Sequence, residues 1–167
     1  MGKFIVRTAV VTVTLLVIAG CAAGQARFSD PSAGYSFDLP SSNWRSVGKT
    51  GAVEYVYGDR MSGDLTVQKI TMNNGDDLSK VIERDTETKL QFMTGYIEGK
   101  IERFAGTLTG DVLSFEYTSG GKPFAGRNYY LLSASRTVFV LRFTGMSSKL
   151  TQIRNQTDSI ARSFSTK

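Results

Sequence analysis

The chain of 167 residues contains no histidine. That absence excludes Ser-His-Asp and Cys-His catalysis, zincin-type metal sites and the usual near-neutral pH switch together. Cysteine is almost as scarce: Cys21 is the only one, so no disulfide can close within the chain. No stretch combines the basic residues into the concentrated stripe that a nucleic-acid binder presents, and no repeat or low-complexity tract interrupts the chain. No apolar run approaches the roughly 20 residues that a spanning helix needs.

What is present at the amino terminus reads as an address. Lys3 and Arg7 form a short basic start, and Ala9 to Ala19 is an apolar core interrupted by Thr12 and Thr14. Such a core has the length of a signal-peptide h-region. It ends in Ile18-Ala19-Gly20-Cys21, a tetrapeptide that resembles the bacterial lipobox, with Ile where Leu is more usual. The sole cysteine stands at the one position this motif requires. We therefore expect cleavage before Cys21, which leaves residues 1–20 as a signal peptide and makes Cys21 the lipidated first residue. Acyl chains of the palmitate kind, each buried methylene contributing about 0.8 kcal/mol, give stable anchoring when two or three are present. Residues 21–26 then form a short tether, and residues 27–167 a single domain. Ala22, rather than Asp, follows the cysteine, which in a Gram-negative cell favours the outer membrane facing the periplasm. The competing reading is an ordinary secretory signal cut near Ala22-Ala23-Gly24.

Charge adds little. The 20 basic and 15 acidic residues give +5, and loss of Lys3 and Arg7 lowers the mature domain to +3. This balance speaks for solubility and against nucleic acid as a partner.

The domain is expected to be α+β. Tyr35 to Leu39 alternates apolar and polar residues before Pro40 ends the strand. Trp44 to Val47 begins the next piece. Ala52 to Tyr57 and Leu65 to Met72 read as hairpin partners, with a turn over Gly58 to Asp64. Asn73-Asn74-Gly75-Asp76-Asp77 breaks the sheet, and Asp76 or Asp77 caps a helix over 77–93 that Gly95 ends. Short β segments follow at 96–104, 111–118, 127–135 and 137–144. The last of these, richest in β-formers, is expected to be a central strand. Ser147 or Ser148 caps a final helix whose buried face is Leu150, Ile153, Thr157, Ile160 and Ala161, with Phe164 following. The expectation is one antiparallel sheet covered by two main helices.

Phe28, then Gly34-Tyr35-Ser36-Phe37-Asp38-Leu39-Pro40, then Trp44 stand in the order of an opening motif of the PsbP-like superfamily, and the chain resembles that family from about residue 27 to 165. Arg127 to Leu132, Thr137 to Phe143 and the terminal Ser163-Phe164 match its closing strand, strand and helix order. The resemblance implies a PsbP-like α/β/α sandwich without enzymatic activity, used for docking or assembly at a membrane surface. Physical chemistry supplies a second cause for the same residues: Tyr35, Phe37 and Trp44 serve as core aromatics, with Pro40 as a strand stop.

Other constellations have structural explanations. The Asn73–Asp77 oxygens lack EF-hand spacing, and a turn with a helix cap accounts for them. Asp59 and Asp64 flank a turn rather than forming a catalytic pair. Ser119-Gly120-Gly121-Lys122 lacks the frame of a phosphate loop. Pro123 and Phe124 read as a hairpin tip, with Phe124 as a membrane or partner contact. Arg142 interrupts an apolar strand on the face of Val138 and Val140, opposite Phe139, Leu141 and Phe143. It needs an acidic or carbonyl partner if that face is covered and otherwise snorkels to an edge; a ligand or partner contact in a pocket is a further reading of it.

These readings converge on a lipid-anchored, non-enzymatic envelope protein acting as a binding or assembly module. Its membrane contact is the lipid on Cys21, its further partner is an envelope protein, and no cofactor, metal or catalytic residue is expected. Two other classes stay open: a carrier of a small apolar ligand, which a cavity between sheet and helix favours, and a carboxylate-dependent envelope hydrolase, which needs a larger cleft.

Overall fold

Alternating side chains along two runs of hairpins, joined by a long-range β5–β9 pairing, build the main sheet. The computed structural model describes residues 26–47, 54–134 and 136–167; Cys21, the leader and the tether up to residue 25 lie outside the described residues, as do Ala52 and Val53. The strands are β1 (Ala26–Asp30), β2 (Tyr35–Leu39), β3 (Trp44–Ser46), β4 (Glu54–Tyr57), β5 (Asp59–Thr71), β6 (Ile97–Ala105), β7 (Thr109–Ser119), β8 (Lys122–Ser133), β9 (Thr137–Met146) and β10 (Ser165–Thr166). The helices are α1 (Leu78–Thr88), α2 (Ser147–Gln152) and α3 (Arg154–Ser163). Seven strands pair in the order β3-β4-β5-β9-β8-β7-β6, every pairing antiparallel. β9 is the fourth of the seven, the central position expected for Thr137 to Phe143.

One expectation needs correcting: there are two sheets. β1, β2 and β10 form a small sheet of their own, which lies with α2 and α3 on one face of the main sheet. Tyr35 and Phe164 pack there against Phe139, with ring centroids 5.1 to 5.7 Å apart for Tyr35–Phe164, Phe139–Phe164 and Tyr35–Phe139, and Phe37 stacks on Tyr35 and Phe164 in the same core. The aromatics of the opening motif are thus core residues. Tyr35 and Phe37 belong to the first hairpin, whereas Trp44 opens the main sheet in β3. Asp30 builds that hairpin's turn: its Oδ1 accepts from the amides of Ser32 and Ala33, both at 3.0 Å. Gly34 adopts a φ of 75° there, a conformation that favours glycine.

α1 covers the opposite face, where Val81, Ile82 and Leu90 meet Leu113, Phe115, Tyr130, Val138 and Val140. Asp77 caps it, accepting from the Lys80 amide at 2.9 Å. The helix ends at Thr88, not at 93, and a 3-10 turn spans Leu90–Phe92. Helical geometry explains the early stop. At 100° per residue, Leu90 would point about 130° away from the stripe of Val81, Ile82 and Asp85. Leaving the helix at Lys89 (φ −136°) lets Leu90 reach the core, where it is buried. Gly95, with φ 64°, therefore shapes the turn into β6 rather than capping the helix.

The other hairpins differ in detail. β5 begins at Asp59, so the turn from β4 is confined to Gly58, and the pairing shifts register between Val56 and Tyr57. β8 begins at Lys122, so Pro123 and Phe124 are strand residues, not a tip. The turn is Gly120-Gly121, both at positive φ, as a two-residue turn between twisted strands demands. Pro123 is tolerated because the β8–β9 pairing stops at Phe124–Met146, so no β9 neighbour needs an amide from it. The last helix is two segments broken at Ile153, and Ser147 is its first residue rather than its cap. Its expected face holds: Leu150, Ile153, Thr157, Ile160, Ala161 and Phe164 are all buried.

Candidate functional site

α3 reaches the sheet's outer strands near the β6–β7 turn, where Arg162 donates to the Ala105 carbonyl at 3.0 Å, and leaves their other end open. Over β6, β7 and β8 this leaves a groove of about 470 Å³, within the size range of ligand sites. Alternation places the side chains of Ser114, Glu116, Ala125 and Arg127 on its floor, because each shares a face with buried Val112 and Tyr129. Ile97 of β6 forms one wall and Leu150, Thr151 and Arg154 the other. Gly99 sits in a β-bulge where β6 slips against β7. A Cβ there would lie 2.6 Å from the Ser114 carbonyl oxygen, so no larger residue fits without displacing the edge.

Arg127 is the chemical centre of this groove. It is 8% exposed and is held on three sides. Its Nε donates to the Tyr129 hydroxyl at 3.1 Å, Nη1 to Ser114 Oγ at 3.2 Å and Nη2 to Asp158 Oδ1 at 3.0 Å. The Tyr129 hydroxyl also donates to Asp158 and lies 2.9 Å from Thr157 Oγ1. This network ties α3 to the sheet. Burial pushes the Tyr129 hydroxyl up to about 12, so it stays protonated at any physiological pH. Burial also works against the Arg127 charge, but Tyr129 and Asp158 outweigh it and hold its pKa above the usual value. Among the described residues Arg154 on the wall has one loose ion pair, 3.6 Å to Glu102, and its side chain is 54% exposed.

The residues singled out in the sequence lie elsewhere. Arg142 sits beneath α1, with Nη2 donating to Asp85 at 2.7 Å and to Gln68 at 3.1 Å. It has the acidic partner that a covered face requires, and it does not line the groove. Asp85 in turn accepts from the Tyr130 hydroxyl at 2.7 Å and pairs with Lys89 at 3.1 Å. Phe124 is half-buried, its ring 5.4 Å from that of Tyr117. Asp59 holds the amide of Ser62, Asp64 pairs with Arg60, Asp76 pairs with Arg84, and Asp77 caps α1. Among the described residues no three acidic, cysteine or histidine side chains cluster to hold a metal. The groove residues were not picked out in the sequence. A signal existed: Arg127 interrupts an apolar alternation, Ala125-x-Arg127-x-Tyr129, much as Arg142 does in β9.

The main sheet has a second open feature, its β6 edge. Ile97 and Ile101 are 63% and 51% exposed on that strand, and Phe92 before it is 75% exposed. Ile101 pairs with Leu113, whose side chain lies under α1, so Ile101 opens on the α1 face.

No protein-family model matches the sequence, and no curated protein does. Solved structures do. Cyanobacterial PsbP (CyanoP) from Synechocystis sp. PCC 6803 superposes with a TM-score of 0.62 at 16% identity, over 89% of this chain and 96% of that one. LpqN of Mycobacterium tuberculosis, described as involved in cell envelope biogenesis, gives 0.53 at 17% identity, over 85% and 91%. PA94 from Pseudomonas aeruginosa, described as a putative regulator, gives 0.53 at 10% identity, over 83% and 94%. At such identities the likeness is one of fold, and this chain has the PsbP-like α+β fold.

Proposed function

We propose that this chain is a lipid-anchored, non-enzymatic envelope protein that binds another envelope protein through the open edge of its main sheet. The observation that carries the reading is β6. It is an edge strand of nine residues with two half-exposed isoleucines and, among the described residues, no neighbouring strand on its outer side. Open edges with apolar side chains are the surfaces that extended partner segments pair with. The charges at Glu98, Lys100, Glu102 and Arg103, together with the bulge at Gly99, restrict that pairing to partners of matching pattern. Phe124, on the α1 face beside Tyr117, is a secondary contact in this proposal. The fold's occurrence in a protein of cell envelope biogenesis supports the setting. No helix among the described residues is long and apolar enough to cross a membrane. In this proposal the membrane contact is the lipid on Cys21.

The test is a pull-down from detergent-solubilised membranes using wild type, Cys21→Ser and Ile101→Lys, with intact mass on each chain. The expected result is a diacyl mass on wild type that is missing from Cys21→Ser. A stoichiometric protein should also be captured by wild type and lost with Ile101→Lys. An unlipidated wild-type chain beginning after Ala23 would overturn the anchor. Capture that survives Ile101→Lys would overturn the edge as the binding surface.

A further inference from the structure

We infer that the groove over β6, β7 and β8 is a binding site for a small aliphatic monocarboxylate, held by Arg127 and Arg154. The groove shares Ile97 and Gly99 with the β6 edge, but its two arginines lie on β8 and α3 and Ile101, which tests the edge, opens on the other face, so the two readings are tested separately.

The donor arrangement is the first reason. A guanidinium offers five N–H donors in a fixed fork, and protein acceptors take three of those on Arg127. Two donors remain on a side chain that is nine-tenths buried and lines the groove. Ser114, Tyr129 and Asp158 already fix its orientation, so an arriving anion meets a group that loses little freedom on binding. Asp158 neutralises much of the Arg127 charge, which by itself would make the site weak. Arg154 corrects this. It stands on the facing wall, engaged among the described residues by the 3.6 Å pair with Glu102, and supplies a second cation without a close competing acceptor.

The lining sets the rest of the ligand. Ile97, Ala125 and Leu150 offer apolar surface beside the two arginines, which fits a hydrocarbon body. Glu116 lines the same groove. A second negative charge on the ligand would meet that carboxylate, so dicarboxylates and phosphate dianions are disfavoured. One anionic head with an uncharged chain is the chemistry that satisfies all of these residues.

The experiment is equilibrium dialysis of radiolabelled hexanoate against the full chain in nanodiscs, with empty nanodiscs as the blank. Unlabelled hexanoate, hexanamide and adipate serve as competitors of equal carbon count. Saturable binding at one site per chain is expected, with hexanoate competing at least tenfold better than hexanamide or adipate. Arg154→Glu should weaken binding about tenfold or more, as loss of one charged hydrogen bond does, and Arg154→Lys should keep most of it. Arg127→Met, with its fold checked by circular dichroism, should abolish binding. Absence of saturable binding in wild type would overturn the proposal. So would equal competition by hexanamide, unchanged affinity in Arg154→Glu, or binding by a folded Arg127→Met chain. If Arg127→Met fails to fold, Arg154→Glu and the competitor series still decide.

Discussion

Asp85 and Arg142 show how a charge can sit in the middle of an apolar layer. Their side chains are 2% and 15% exposed, and the pair spans from α1 to the central strand. Burial pushes the Asp85 carboxyl up, but Arg142 first, then Tyr130 and Lys89, pull it further down, so it ends below the ordinary 3.8. Removing Asp85 leaves the Arg142 charge without its carboxylate, which costs about 3–5 kcal/mol, whereas removing Arg142 leaves Asp85 with Lys89 and Tyr130. Asp85→Asn is expected to lose stability on that scale in urea denaturation, and Arg142→Met to lose less, because Lys89 still faces Asp85. The double variant Asp85→Leu/Arg142→Met should lose less than Asp85→Asn, because an apolar pair replaces the ions and no buried charge is stranded. The pH dependence has a definite sign. A carboxyl depressed in the folded state contributes stability above its unfolded pKa, and that contribution fades as pH falls through the folded value. Wild type should therefore weaken below about pH 4, and the gap to Asp85→Asn should close there. The Arg142 half of this was legible in the sequence, because an arginine within Val-Phe-Val-Leu-Arg-Phe demands a partner. Asp85 was legible only as a member of a helix stripe, since no local pattern says which acidic residue a strand 57 positions away will meet. Arg127 carries the same interruption signal, yet its three partners come from β7, β8 and α3.

Secondary structure was readable where its signal is local and failed where distant packing decided. The strands from β2 through β9 follow alternation, and the buried face of α2 and α3 was read residue by residue. The early end of α1 was not readable, because it depends on where Leu90 must point once the sheet is in place. Phe124 was misplaced for a related reason: Pro123 suggests a loop unless the two glycines before it are recognised as the whole turn. The small sheet escaped notice because β10 has only two residues and pairs with β2, about 130 positions earlier in the chain. α1 carries the clearest prediction at this scale. Its first turn has no acidic residue, so Asp77 is its main favourable contact with the unpaired amides. Asp77→Ala should cost about 1 kcal/mol, read as a lower melting temperature with unchanged far-ultraviolet circular dichroism in the folded baseline.

The whole molecule has two apolar cores separated by one sheet, and the question is whether they melt together. The larger core holds Trp44, Phe143, Tyr129 and Leu131 under α2, α3 and the small sheet; the smaller holds Leu113, Tyr130 and Val140 under α1. β8 and β9 belong to both. Tyr129 faces one core and Tyr130 the other, each fully buried, and Phe139 and Val140 alternate in the same way. Loosening either layer therefore exposes strands whose other side still packs, and hydrogen bonds along β8–β9 resist partial opening. Small domains built this way unfold in one step. Trp44 provides a reporter confined to the larger core. Leu113 is fully buried on the opposite face, and Leu113→Ala should cost about 2–5 kcal/mol as a large-to-small core change. If the cores are one unit, that substitution moves the Trp44 fluorescence midpoint as far as it moves the circular dichroism midpoint. If Trp44 reports an unchanged transition while circular dichroism shifts, the α1 layer is a separate cooperative unit.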